Sequence, residues 1–251
     1  PAAMLAATWD RARRDEVAAA LARAPQPYAA SASRTLLEGF DLYAARWVDA
    51  RRQACEQTLA ATEPAESEQS SMTVQCLDRA RARFHTATTL AADVEHNPGV
   101  IRRADPLLAE LGVPRSCADA AVAKSTRPPS MSDDELAEYQ RELDALGLLY
   151  ATAAYDRTAS QSEALAERLH ERGAGQLEAE VRQLLAQTQH ATDARESAVS
   201  TFFEALALAQ RHGAHGVAAE SWSELTRLAA YDLEDVVRAE HWLQMAASAV
   251  S

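Results

Sequence analysis

The residues of this chain that could do chemistry or carry recognition are three cysteines, one close pair of histidines, and a set of carboxylates and indoles. Cys55, Cys76 and Cys117 could act as nucleophiles only beside a base that favours the thiolate. No adjacent motif supplies such a base to Cys76 or Cys117. His212 and His215, in the run Arg-His-Gly-Ala-His-Gly, carry the nitrogen donors that a zinc-type ion takes. A site needs further ligands. Glu220 and His241 are the nearest candidates, and no spacing requires either. Asp133-Asp134-Glu135 reads as the acidic first turn of a helix, where the helix dipole favours negative charge, rather than as an acid/base pair. No nucleophile-elbow or oxyanion-loop pattern occurs. No catalytic residue, metal ligand or cofactor is therefore assigned, and the expected role is binding rather than catalysis.

Two of the cysteines lie on what reads as a long helical hairpin, from about Arg34 to Glu95. Its first arm, about 33–62, carries Leu36, Phe40, Tyr43, Trp47, Cys55 and Leu59 at three- and four-residue steps. Glu63-Pro64-Ala65 breaks the helix, because the residue before a proline is pushed out of helical geometry. The return arm begins near Glu66-Ser67-Glu68, and its stripe is Met72, Cys76, Leu77, Ala80, Phe84 and Leu90. A short connection implies antiparallel neighbours. Cys55 and Cys76 flank the break and are expected at nearly the same height on facing helices. Two readings stay open: a bridge, which needs Cα atoms no more than ~7 Å apart, or two buried free thiols. Three cysteines leave one over in any case.

Composition narrows the fold. The chain has 251 residues, with 47% apolar, and only 8 Gly and 9 Pro. Sparse turn formers and the absence of a period-2 run rich in Val, Ile and Thr argue for long helices with short loops. No apolar run approaches the ~18 residues that span a bilayer. The chain begins at Pro1, with Met4 inside, and reads as a fragment of a longer protein. Residues 1–125 carry 15 basic and 16 acidic side chains, whereas 126–251 carry 10 and 21. That segregation suggests two modules, 1–125 and 130–251, joined through the Ser-Thr-Arg-Pro-Pro-Ser-Met linker at 125–131. An acidic second half disfavours nucleic acid, whose phosphates need a basic surface, and suits a basic protein or peptide.

Within the first module, 4–24 reads as one amphipathic helix buried through Leu5, Trp9, Ala12, Val17, Ala20 and Leu21, and ended by Pro25-Gln-Pro27. Asn97-Pro98-Gly99 marks a turn. Shorter helices follow, ended by Gly112-Val-Pro114, with Ser116 and Asp119 able to cap one that carries Cys117. The second module reads as three helix pairs: 133–154, 161–172, 176–190, 194–212, 217–230 and 233–250. Capping boxes are expected at Ser132/Glu135, Ser160/Glu163 and Asp193/Glu196, with Asp232 capping the last helix. Ala198-x3-Phe202-x2-Ala205 has the second-helix pattern of a tetratricopeptide (TPR) repeat, and Ala239-x3-Leu243-x2-Ala246 repeats it 41 residues on. Leu185-Ala186 and Trp222-x2-Leu225 occupy the matching first-helix positions. The fold expected is all-α: an N-terminal bundle with a long hairpin, then a TPR-like α-solenoid. Trp242, Leu243, Met245 and Val250 leave the solenoid's end apolar, which reads either as a truncated solenoid or as an end where a second chain packs as a homodimer.

The succession Leu5…Trp9-Asp10…Ala12-Arg13-Arg14, Pro27-Tyr28-Ala29, Tyr43-Ala44-Ala45-Arg46-Trp47, Ala54-Cys55-x2-Thr58, Gln69-Ser70 and Cys76-Leu77-x-Arg79 resembles the region that follows the kinase domain in large TPR-containing Ser/Thr protein kinases of myxobacteria. Pro114, Cys117 and the TPR-like tail also fit. The resemblance spans nearly the whole chain, departing at 60–68 and in the first TPR-like pair. No glycine-rich loop, Lys, HRD or DFG element occurs here. The resemblance implies that the full-length protein is such a kinase and that this region senses or docks a partner. It also implies, for a region outside the cytoplasmic membrane, a Cys55–Cys76 bridge, with Cys117 paired to a further cysteine upstream of Leu5; a cytoplasmic location is the other reading.

Partner contacts are expected from Glu180, Glu220, Glu224, Trp222 and Trp242 on the TPR-like face, the carboxylates favouring a basic ligand. The alternative is a small-molecule or peptide pocket between the two modules, lined by Trp47, Tyr43 or Trp222.

Overall fold

A computed structural model describes residues 1–117 and 131–250, the last three of these without their side chains. The expected linker and the helix cap at Asp119 lie mostly or wholly outside the described residues. The fold is all-α, with no strand among the described residues. The chain divides into two compact units: Pro1–Thr126 with Gly147–Ala154, and Arg127–Leu146 with Tyr155–Ser251.

The first unit opens on a 3₁₀ turn at Ala2–Leu5 and helix α1, Arg11–Leu21. The single helix expected over 4–24 is interrupted because the Asp10 carboxylate accepts the Arg13 backbone N–H at 2.8 Å and starts a new helix there. Leu5, Trp9, Val17, Ala20 and Leu21 are buried as expected, whereas Ala12 is exposed. Arg14 pairs with Asp41 at 3.0 Å, and Asp41 also accepts the Trp9 indole N–H at 2.9 Å. The arginine cluster is thus partly tied to neighbouring acids.

The hairpin is α2, Ala29–Ala60, and α3, Pro64–Ala92. Its break is a capping box built from Glu63 and Glu66, with Pro64 at the first helical position, where its missing N–H costs nothing. Phe40, Tyr43, Trp9 and Phe84 form one aromatic cluster with ring centroids 4.7–5.9 Å apart. Short helices α4, Gly99–Arg102, and α5, Ala104–Leu111, follow. α1 and α5 both pack on α2 and α3. The predicted stripe holds along this covered stretch: Leu36, Phe40, Tyr43, Trp47, Leu77, Phe84 and Leu90 are all buried. It fails towards the turn, where Leu59 is 88% exposed and Cys55 is exposed.

The cysteines correct the expectation. Cys76 is joined to Cys117, with Cα atoms 5.5 Å apart, and Cys55 is the free thiol. Register explains why. Tyr43 Oη–H donates to the Ala80 carbonyl, Trp47 Nε1–H to Leu77 at 2.7 Å, and Arg51 to Val74 at 3.1 Å. Each four-residue step along α2 therefore meets a three-residue step back along α3. Continued to Cys55, this register reaches about residue 71, roughly 7 Å along the axis from Cys76. Leu77, next to Cys76, fills the α2-facing position. That turns Cys76 towards the segment after the 3₁₀ turn Pro114–Ser116.

The second unit contains the start of α6, Asp133–Ala151, then α7, Tyr155–Glu171, α8, Gly175–Ala191, α9, Arg195–His212, α10, His215–Arg227, a π turn at Leu228–Asp232, and α11, Val236–Val250. The Ser132/Glu135 box forms in full, and the Ser132 N–H and hydroxyl, with Arg172 beyond, hold the Glu135 carboxyl below its ordinary value. Ser160 lies inside α7, which starts at Tyr155, so it caps nothing. Asp193 takes a positive φ of 66° in the turn before α9. Asp235, not Asp232, accepts the Arg238 N–H at 2.9 Å at the start of α11. Each of α7 to α10 packs on its successor.

The part of α6 that belongs to the first unit is held closely. A Cβ on Gly99 would meet the Thr152 carbonyl oxygen at 1.7 Å, so only glycine permits that approach. Arg103 Nε–H donates to the Ala151 carbonyl at 3.4 Å. These contacts place Gly147–Ala154 with the first unit, a return of the chain that the boundary read from the linker composition and the charge shift did not include.

Candidate interaction surface

The second unit is built around α8. Val181, Leu184, Leu185 and Ala186 are buried on it, and it contacts α7, α9 and α10. Burial reaches its polar side chains too. Glu178 is buried, accepts from Arg182 Nε–H at 2.9 Å, and faces His170 Nδ1 at 3.2 Å. Arg182 continues to Glu204 at 2.7 Å. A carboxylate removed from water needs such charge-assisted partners.

The predicted contact residues separate into two groups. Glu220 is exposed on α10 and accepts the Gln183 amide at 2.8 Å. Glu224 accepts Arg227 Nη2–H at 2.6 Å. The same Arg227 nitrogen donates to His190 Nδ1 at 3.0 Å, which leaves the His190 proton on Nε2, 3.1 Å from Asp232. Arg195 donates to the Asp232 carbonyl at 2.9 Å. Glu220 and Glu224 are thus oriented by internal donors, and each carboxylate retains further acceptor capacity for a cationic group. Glu180 is half-buried on α8.

Trp222 and Trp242 belong to the other group. They are 5% and 8% exposed and lie in one core cluster with Phe202, Leu206, Leu225 and Leu228. They are core residues, not surface contacts, because the helical spacing that suggested them is also the spacing of a buried stripe. Phe203, which no sequence pattern singled out, stands edge-on to both, at 6.1 and 5.4 Å. Its only signal is its place beside Phe202, off the main stripe. Trp47 and Tyr43, suggested as pocket-lining residues, are likewise core side chains of the first unit, hydrogen-bonded across the hairpin.

His212 lies against Gly175, whose Cβ, were it present, would fall 2.1 Å from Nε2. Among the described residues no group of three or more His, Cys, Asp or Glu side chains is placed to hold a metal ion. Among them, too, no helix is long and apolar enough to cross a membrane. A cavity of about 470 Å³ lies in the first unit, lined by Arg23, Pro25, Gln26, Val94, Glu95 and Pro98 among others. No family model matches the chain, and neither the curated proteins nor the solved structures yield a match.

Proposed function

We propose that this chain is a non-catalytic interaction and sensing region of a larger Ser/Thr protein kinase of the myxobacterial type. It engages a protein or peptide partner through a TPR-like second unit, and the bound and free states bias the attached kinase differently. The observation that carries this reading is the recurrence of one residue pattern: Ala198, Phe202 and Ala205 on α9 and Ala239, Leu243 and Ala246 on α11 have the same spacing, each on a helix preceded by a shorter one. The sequence resemblance along the first unit supports the kinase setting. The acidic balance of residues 126–251 and the oriented pair Glu220 and Glu224 favour a basic partner.

Probing an array of peptides of graded charge with the full chain tests the reading. Retention of basic peptides, weakened at least tenfold by Glu220→Lys with Glu224→Lys, is expected. Retention that ignores both peptide charge and these substitutions refutes it.

A second reading, a small-ligand receptor, draws on the cavity beside Gln26, whose Oε1 is buried without a hydrogen-bond partner among the described residues. Its volume falls in the range of ~300–1,000 Å³ typical of ligand sites.

A further inference from the structure

The cavity of the first unit is walled by two turns of the chain. One follows α1, where the Ala24 N–H donates to the Leu21 carbonyl at 3.1 Å and Pro25 stops the helix. The other follows α3, where Val94 is buried and the Asn97 backbone and side-chain N–H groups both donate to the Asp93 carbonyl, at 3.0 and 2.9 Å. α1 packs on α3, and the second turn runs through Pro98 into α4, whose Gly99 is pressed against Thr152. Two fixed proline torsions and these local bonds preform a space of about 470 Å³. Its lining joins an apolar part, Ala24, Pro25, Val94 and Pro98, to one charge of each sign, Arg23 and Glu95. The two charges do not pair with each other. Among the described residues the Arg23 guanidinium makes one hydrogen bond, to the Ala19 carbonyl at 3.3 Å, and the Glu95 carboxylate accepts none. The adjacent His96 is bonded to Asp93 instead. Gln26 lines the cavity as well, and its Oε1 is buried without a hydrogen-bond partner among the described residues.

We infer that this cavity binds a small zwitterion with an apolar body, a free apolar amino acid or a dipeptide built from two of them. The inference rests on the reading of the chain as a small-ligand receptor and names the ligand class. The ligand carboxylate takes the Arg23 guanidinium, whose planar fork matches two carboxylate oxygens. The ligand ammonium takes the Glu95 carboxylate, whose acceptor capacity is unused. The apolar body leaves water against Ala24, Pro25, Val94 and Pro98. Gln26 adds an acceptor: a turn about its broad terminal torsion offers Oε1 to a ligand N–H, which satisfies an oxygen that otherwise stays unpaired. Charge sets the selectivity. A simple anion meets Glu95, and a simple cation meets Arg23, as a like charge, so a molecule with a single charge is rejected where a zwitterion is held.

Free leucine and the dipeptide leucyl-leucine are titrated into the full chain by isothermal calorimetry, beside N-acetyl-leucine, leucinamide and the doubly blocked N-acetyl-leucinamide. Saturable binding of leucine or of the dipeptide is expected, and the tighter of the two identifies the source of the zwitterion. Blocking either end of the ligand should weaken binding at least tenfold, and so should Arg23→Gln and Glu95→Gln. Both replaced side chains are exposed, so unchanged circular dichroism and thermal melting are expected of these variants. Zwitterion binding that ignores both substitutions overturns the site. Equal binding of the free and blocked forms, abolished by Ala24→Trp, which fills the cavity, overturns the zwitterion and leaves the small-ligand reading intact. Failure of all five compounds to bind overturns both.

Discussion

Replacing Cys117 with alanine removes the one covalent tie of the first unit. The Cys76–Cys117 bridge closes a sequence separation of 41 residues. In the chain-entropy treatment, opening a loop of that length releases about 13 cal/mol/K in the unfolded state, or about 4 kcal/mol at room temperature. For a unit of this size the melting temperature should fall by roughly 10–15 °C. The assay is urea and thermal unfolding of the unreduced chain, its Cys117→Ala variant and a Cys55→Ser control. Cys55 is exposed and unbridged, so the control should unfold with the parent chain. Maleimide labelling of the unreduced, denatured chain should modify one thiol, and peptide mapping should place it at Cys55. Three reactive thiols, a mapped Cys55–Cys76 bridge, or a Cys55→Ser loss equal to that of Cys117→Ala would refute the register argument.

Trp47→Phe removes the buried 2.7 Å hydrogen bond to the Leu77 carbonyl and leaves a small void, so chemical denaturation should show a loss of about 2 kcal/mol. Gly99→Ala drives a methyl group to within 1.7 Å of the Thr152 carbonyl oxygen, and since backbone must yield, a loss of about 2–3 kcal/mol is expected by calorimetry. His96 donates to Asp93 at 2.7 Å, which raises its imidazole pKa above the ordinary value, with the Asp93 charge adding to the effect. The protonated ring is the favoured partner, so the interaction is complete below the ordinary histidine pKa and fades as pH rises through the folded value. An NMR titration should find the His96 midpoint raised in the parent chain and returned towards ordinary in Asp93→Asn; equal midpoints in the two would contradict the pairing.

Much of the fold was legible residue by residue. Three- and four-residue spacing marked Leu36, Phe40, Tyr43 and Trp47 as one buried face, and the pyrrolidine of Pro64 marked the turn. The Ser132/Glu135 box was readable because a cap is local: four residues contain its donors and acceptors. Ser160/Glu163 had the same spelling and formed no cap, because α7 continues upstream to Tyr155 and leaves Ser160 no free helix end. The candidate site was less legible. Glu220 and Glu224 are placed where a partner could reach them, but Trp222 and Trp242 are buried by side chains of neighbouring helices, Phe202 and Phe203 among them.

The amino-acid sequence by itself determined that this chain is helical, where its long hairpin turns, and which side of the hairpin's covered stretch is apolar. Those properties arise from backbone propensity and from side chains within one or two turns of each other. Tertiary structure alone decided the height at which α2 meets α3, and hence that Cys76 meets Cys117 rather than Cys55. It alone decided that Phe202 is covered while its equivalent Leu243 is not. Helical periodicity specifies an angle around an axis; the position along the axis, and the neighbour that covers a face, come only from packing one helix against another.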